Sequence, residues 1–173
     1  MVDWLLVNWL LVNQSTDNQS INSPITNQPI TIMIWKVKPS IEILQQIGVN
    51  TMSDNLGIQF VEFGDDYLTA KMPVDHRTVQ PFRILHGGAS VTLAETIGSV
   101  ASVLTLEAGS KKQVVGVEIN ANHLSSAREG SWVFGTVKPI RVGRTIQVWN
   151  IEIKDESGKL ICVSRLTCAI VER

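Results

Sequence analysis

The feature that most constrains this chain is the stretch from His86 to Leu106, which has no proline and no strand-like alternation. Ala89, Leu93, Ile97, Val100, Ala101 and Leu104 recur at helical spacing, while Val91, Ala94, Gly98 and Val103 fill most other faces. A helix apolar nearly all round has to be buried. At about 1.5 Å per residue it would run roughly 30 Å, the width of a small domain. Ala94, Gly98 and Ala101 form a small-residue stripe that lets such a helix lie close against a sheet. One charge interrupts it: Glu95 is the only ionisable side chain between His86 and Glu107.

Everything around this helix reads as strand. Gln113–His123, Ser131–Ile140, Thr145–Lys154 and Lys159–Val171 are strand-like runs, separated by Ser126–Gly130, Arg141–Arg144 and the Asp155–Gly158 turn. Such short connections suit an antiparallel meander rather than βαβ units. Upstream, Ile58–Phe63 and Tyr67–Val74 flank a Gly64-Asp65-Asp66 turn and form a hairpin, and Asp75–Arg83 is a polar loop. Ser40 is placed to cap a short amphipathic helix carrying Ile41, Ile43, Leu44 and Ile47. The fold class is therefore α+β: one long central helix wrapped by a curved antiparallel sheet of about six strands. A single helix covers only one face of such a sheet, so homo-oligomerisation is expected.

Residues 1–32 differ in character. A direct repeat, Trp4–Asn8 then Trp9–Asn13, precedes a tract rich in Asn, Gln, Ser and Thr. The apolar stretch is about ten residues, too short to span a bilayer, and it lacks the basic flank of a signal peptide. Such a tract cannot offset its own chain entropy. The domain is expected over 33–173, with Met33 as the natural start and 1–32 a low-complexity extension. At 173 residues the chain is long enough for one domain. A net charge of −1 creates no global field for nucleic acid or an anionic membrane. Cys162 and Cys168 lie in one strand about 20 Å apart, beyond disulfide reach, and suit reduced thiols in a cytoplasmic protein. No Cys/His spacing points to a metal, and no cofactor is expected.

The chemistry concentrates at the start of the helix. Leu85-His86-Gly87-Gly88 stands where loop becomes helix, and glycines there let a ligand approach first-turn N–H groups that carry partial positive charge. Such a terminus can polarise a carbonyl. A carboxylate on an apolar helix is costly to bury unpaired, which marks Glu95 as functional, as paired with a strand residue, or as exposed at a subunit boundary. Glu95, Ser99 and Ser102 fall at i, i+4 and i+7, one polar line along the helix. Ser99 can bond the carboxylate, a water or the helix backbone. Gln80 and His86 flank the approach loop, and either can serve the site or simply hold the loop. About two turns separate Glu95 from the helix start, so both could flank one small reacting group only in a folded-back or a cross-subunit site, which again points to a dimer. Arg128, Arg141 and Arg144, with Lys111 and Lys112, read as loop cations that would suit phosphates if the loops cluster.

Three segments, QPFRILHGGASVTLAETIGSVAS, VVGVEINANHLSSAREG and GRTIQVWNIEIKDESGKLICVSRLT, resemble hotdog-fold acyl-CoA thioesterases of the phenylacetate-type subgroup. Within these, the likeness is to the 1,4-dihydroxy-2-naphthoyl-CoA hydrolase branch of menaquinone biosynthesis and to the enterobactin proofreading branch. It runs from about Ile34 to the C-terminus. The resemblance implies hydrolysis of an aromatic acyl-CoA, with Glu95 as nucleophile or general base and the Gly87 N–H polarising the thioester carbonyl. It also implies supporting roles for His86, Gln80 and Ser99, and His123 near the acyl group or pantetheine arm. CoA contacts are implied at Val115, Gly116, Ser126, Arg128, Arg141, Gly143 and Arg144. The implied assembly is a dimer as minimal active unit, with a tetramer above it. Where the family pattern has Gly, this chain has Arg83, which adds bulk and charge beside the site. Hydrolysis of acyl carrier protein thioesters and non-catalytic sensing of acyl-CoA are the alternatives.

Overall fold

The computed structural model describes residues 33–172; the expected extension, 1–32, lies outside them. Two short helices, α1 (Ile41–Ile47) and α2 (Met52–Asn55), precede strands β1 (Gln59–Phe63) and β2 (Leu68–Pro73). Helix α3 (Gly87–Leu104) follows, then β3 (Lys112–His123), β4 (Trp132–Val142), β5 (Ile146–Asp155) and β6 (Leu160–Glu172). The Ser40 hydroxyl accepts the Ile43 N–H, as its cap position predicts. Helix α2 was not expected from the sequence, although Thr51 caps it in the same way by accepting the Ser53 N–H.

All six strands form one antiparallel sheet in the order β1-β2-β4-β5-β6-β3. This corrects the simple meander. β3 pairs with β6, from Lys112 opposite Glu172 to His123 opposite Cys162, and β4 pairs with β2 instead. The segment after β3 explains the change. Leu85 N–H donates to Ala127 O, Ile84 bridges Arg128, and Val74 N–H donates to Ser131 O. Residues 124–131 are thereby drawn across the end of the sheet and deliver β4 beside β2. The result leaves β3 on the open edge.

Helix α3 lies in the concave face, with Leu93, Ala94, Ile97 and Ala101 fully buried. By length and apolarity it could cross a membrane; here strands on one side and α1–α2 on the other cover much of it. The small-residue stripe does what its spacing suggests: a Cβ on Gly98 would fall 2.5 Å from Leu166 Cδ2, so the helix approaches β6 closely there. Buried Trp149 donates its indole N–H to Ser102 Oγ at 2.6 Å. Its ring stacks on Trp35 at 6.4 Å, and Trp35 donates to Gly64 O.

Two strand ends differ from the reading. β4 continues past a bulge between Pro139 and Arg141, so Arg141 belongs to the strand, opposite Val148, rather than to a loop. Lys112 likewise begins β3.

Candidate active site

His86 is the N-cap of α3, and its Nδ1 accepts the Gly88 N–H at 2.8 Å. A neutral imidazole that accepts at Nδ1 carries its proton on Nε2, which leaves that N–H free to donate. Ala89 and Ser90 donate to His86 O at 3.0 and 3.3 Å. Among the described residues, the Gly87 N–H is the first-turn donor with no partner, and the helix dipole favours negative charge there.

β3 runs antiparallel alongside α3 and supplies the opposite wall. A Cβ on Gly87 would lie 2.7 Å from His123 Nε2, so the imidazole rests directly on the glycine. Farther along, a Cβ on Gly116 would lie 3.0 Å from Glu95 Oε1. The structure thus makes two contacts within one chain, Gly87 with His123 and Glu95 with Gly116. Eight residues of helix separate Gly87 from Glu95, about 12 Å of rise. A single chain does not bring both to one carbonyl.

Of the alternatives open for Glu95, the structure has the exposed one: the carboxylate is exposed in the single chain. The reason is the strand order. Among the described residues no strand lies beyond β3, whose Val115 and Val117 are 46% and 61% exposed. The polar line is also shorter than its spacing suggested, because Ser102 is fully buried and taken up by Trp149. Ser99 remains on the site side, half-buried, and lines a cavity of about 190 Å³ with Phe60, Val100, Thr96 and Ser53. The Ser53 and Thr96 hydroxyls meet at 3.4 Å on its wall. Neither was expected from the sequence, since neither lies in a motif and only folding places α2 against α3.

Gln80 sits in a tight turn. Arg83 N–H donates to Gln80 O, and Gln80 N–H donates to Ile84 O. Its side-chain Oε1 accepts the Phe82 N–H. Arg83 closes the turn with φ of 60°, the left-handed position that such three-residue connections usually give to glycine. A side chain there costs about 1–2 kcal/mol. The Arg83 guanidinium is paired to the Glu129 carboxylate.

The cations do not form one patch. Ser126 and Arg128 are exposed on the segment after β3, near the His123 end of the sheet. Arg141, Gly143 and Arg144 occupy the β4–β5 hairpin, at the Cys168 end with Lys112. Six strand residues separate Cys162 from Cys168, so the two ends are about 20 Å apart. Val115 and Gly116 also divide: Gly116 faces Glu95, and its strand neighbour Val115 points to the other face. Both cysteines are buried and free, one opposite His123 and one opposite Gly116. Burial pushes both thiols up, which leaves them poor thiolate nucleophiles.

Residues 82–162 match the family model described as the thioesterase superfamily. The chain is 58% identical over 139 residues to the 1,4-dihydroxy-2-naphthoyl-CoA hydrolase of Escherichia coli, covering 80% of this chain and 100% of that one. It is 49% identical to the proofreading thioesterase EntH of Cronobacter sakazakii, covering 80% and 99%. The crystal structure of a thioesterase from Haemophilus influenzae superposes with a TM-score of 0.77 at 52% identity, covering 81% of this chain and 96% of that one. A wrapped central helix, six antiparallel strands in this order and full-length relatives of this identity place the chain in the thioesterase superfamily, as a hotdog-fold thioester hydrolase.

Proposed function

We propose that the chain hydrolyses an aromatic acyl-CoA, 1,4-dihydroxy-2-naphthoyl-CoA or a near analogue, as a cytoplasmic homo-oligomer whose smallest active unit is a dimer. One observation carries the chemistry: the Glu95 carboxylate lies against Gly116, where no side chain fills the space, and Ser99 one turn on lines the neighbouring cavity. Its walls combine apolar side chains with the hydroxyls of Ser53, Thr96 and Ser99, a lining suited to a hydroxylated aromatic. The E. coli relative is named for such a substrate.

The edge strand supports the dimer. Unpaired backbone groups along β3, with Val117 exposed, offer a strand to a second copy. An antiparallel β3–β3 pairing centred between Ile119 and Asn120 would set each chain's His123 opposite the other's Gly116. It would bring Gly87 of one chain to Glu95 of its neighbour. The Gly87 N–H then polarises the thioester carbonyl, with His86 Nε2 and Gln80 as further donors nearby. Glu95 either activates water or attacks directly through a mixed anhydride. Ser126, Arg128, Arg141, Gly143 and Arg144 are the candidates for CoA, from both ends of the sheet and both chains. The scheme draws on carboxylate, N–H donors and water, and calls for no cofactor.

The test is a hydrolysis panel of aryl- and alkanoyl-CoA esters with Glu95→Gln beside the parent chain. A loss of about 10²–10⁴ in kcat is expected for the variant, with aryl esters preferred. Full activity of the variant would overturn the scheme. Single turnover in oxygen-18 water labels Glu95 only when direct attack is followed by water entering the anhydride at the Glu95 carbonyl, so label in Glu95 identifies that route. The relationship to the proofreading enzyme favours a second reading, an aryl-acyl carrier protein substrate. Turnover of matched aryl-CoA and aryl-carrier thioesters decides between them.

A further inference from the structure

The ion pair at the tip of the Gln80 turn is unusual in where it sits. Val79 and Leu85 bridge, and the three residues between Gln80 and Ile84 form the connection, with Arg83 in the left-handed conformation. That conformation is disfavoured for any residue with a side chain, so something has to hold it. Two contacts do. Arg83 O accepts the Glu129 N–H at 3.3 Å, and the guanidinium meets both carboxylate oxygens of Glu129, with Nε to Oε2 at 2.8 Å. Backbone and side chain grip the same partner residue. Exposed ion pairs contribute little stability, but a bidentate guanidinium–carboxylate fork fixes orientation in a way a lysine cannot.

The turn held in this way determines what Gln80 presents. The Phe82 N–H requires an acceptor and takes Gln80 Oε1. The end of the amide left free is therefore the NH₂, which can only donate.

We propose that Arg83 and Glu129 are positioning residues, whose fork holds the Gln80 turn so that Gln80 Nε2 acts as an N–H donor to the thioester oxygen or the attacking water. The inference rests on the role of Gln80 in the proposed hydrolysis. A charge beside the site has an obvious competing use, direct capture of a CoA phosphate. The two differ in kinetics: a misplaced donor lowers kcat, whereas a lost phosphate contact raises KM.

The experiment measures kcat and KM for the full chain with Arg83→Gln, Arg83→Lys, Glu129→Gln, Gln80→Ala and the double variant Arg83→Gln/Gln80→Ala. The substrate is an aryl-CoA ester that the parent hydrolyses. Each Arg83 and Glu129 single variant is expected to lose about tenfold in kcat, a fraction of the ~10²-fold that a 1 Å misplacement costs, with KM held within about twofold. In the Gln80→Ala background the Arg83→Gln change is expected to add nothing. Urea melts confirm that the variants remain folded.

A raised KM with unchanged kcat overturns the proposal in favour of phosphate binding. An equal loss in both backgrounds overturns it in favour of a general loop effect, and no loss in the single variants overturns it outright. In these three outcomes an impaired Gln80→Ala leaves the reading of Gln80 standing. Full activity of Gln80→Ala removes that reading and the fork's role with it.

Discussion

Adding one methyl group at Gly116 separates the chemistry of the site from the stability of the fold. Gly116 lies in β3 without a positive φ, so alanine fits the backbone. Removing a strand glycine is worth about 0.5–1 kcal/mol of stability by the usual backbone entropy. The new Cβ meets a single group within 4 Å, Glu95 Oε1 at 3.0 Å, where ordinary contact begins near 3.4 Å. The carboxylate oxygen must therefore withdraw by about 0.4 Å. If a 1 Å misplacement costs ~10²-fold, that withdrawal alone costs about fivefold to tenfold, before any contact between the methyl and substrate. Gly116→Ala should melt at or above the parent's urea midpoint, followed by tryptophan fluorescence, yet lose about tenfold or more in kcat/KM.

Gly98→Ala is the matching control. Its Cβ would press on Leu166 Cδ2 at 2.5 Å, on the packed side of α3. The overpacking costs about 1–3 kcal/mol, partly offset by roughly 1 kcal/mol of helix propensity. This variant should lose stability and keep its turnover. If Gly116→Ala hydrolyses thioester at the parent rate while remaining folded, the place of the Glu95 carboxylate against Gly116 is not the one it reacts from, and the assignment of Glu95 loses its geometric basis.

Three further outcomes follow from other parts of the molecule. Ser102→Ala strands the buried indole N–H of Trp149 and should cost about 1–3 kcal/mol in urea melts, with kcat unchanged because Ser102 faces away from the cavity. Val117→Lys places a charge on the open β3 edge; gel filtration should show a shift to monomer and activity should fall with it, and an active monomer would refute the shared site. Arg77 beside Asp75 holds the Asp75 carboxyl below its ordinary value. A depressed native pKa stabilises the fold above the unfolded value of about 4 and loses that contribution as pH falls through the native value. Asp75→Asn should therefore reduce stability at neutral pH by up to about 1 kcal/mol, and the gap to the parent should close in acid.

Local pattern was enough to read α3, the Ser40 cap, the β1–β2 hairpin and the runs that became strands. Each follows from spacing along the chain: apolar residues at helical period, a hydroxyl at the cap, turn residues between extended segments. The candidate residues Glu95 and Gly87 were also visible there, one as a lone charge on an apolar helix and the other as a glycine at its start. Strand order was not visible. Whether β3 lies beside β4 or beside β6 depends on how residues 124–131 cross the sheet, and that is set by contacts with Val74, Ile84 and Leu85, which lie some forty to sixty positions away in sequence.

The rest follows from that choice. Glu95 is exposed because β3 is the edge, and Ser102 is structural because β5 brings Trp149 beneath it. Arg83 tolerates a glycine conformation because Glu129, forty-six residues on, reaches back to it. Spacing along the chain marked the candidate side chains and the helix that carries Glu95. Which of them meet is set by folding, because burial and pairing are properties of distant segments brought together and leave no period in the chain.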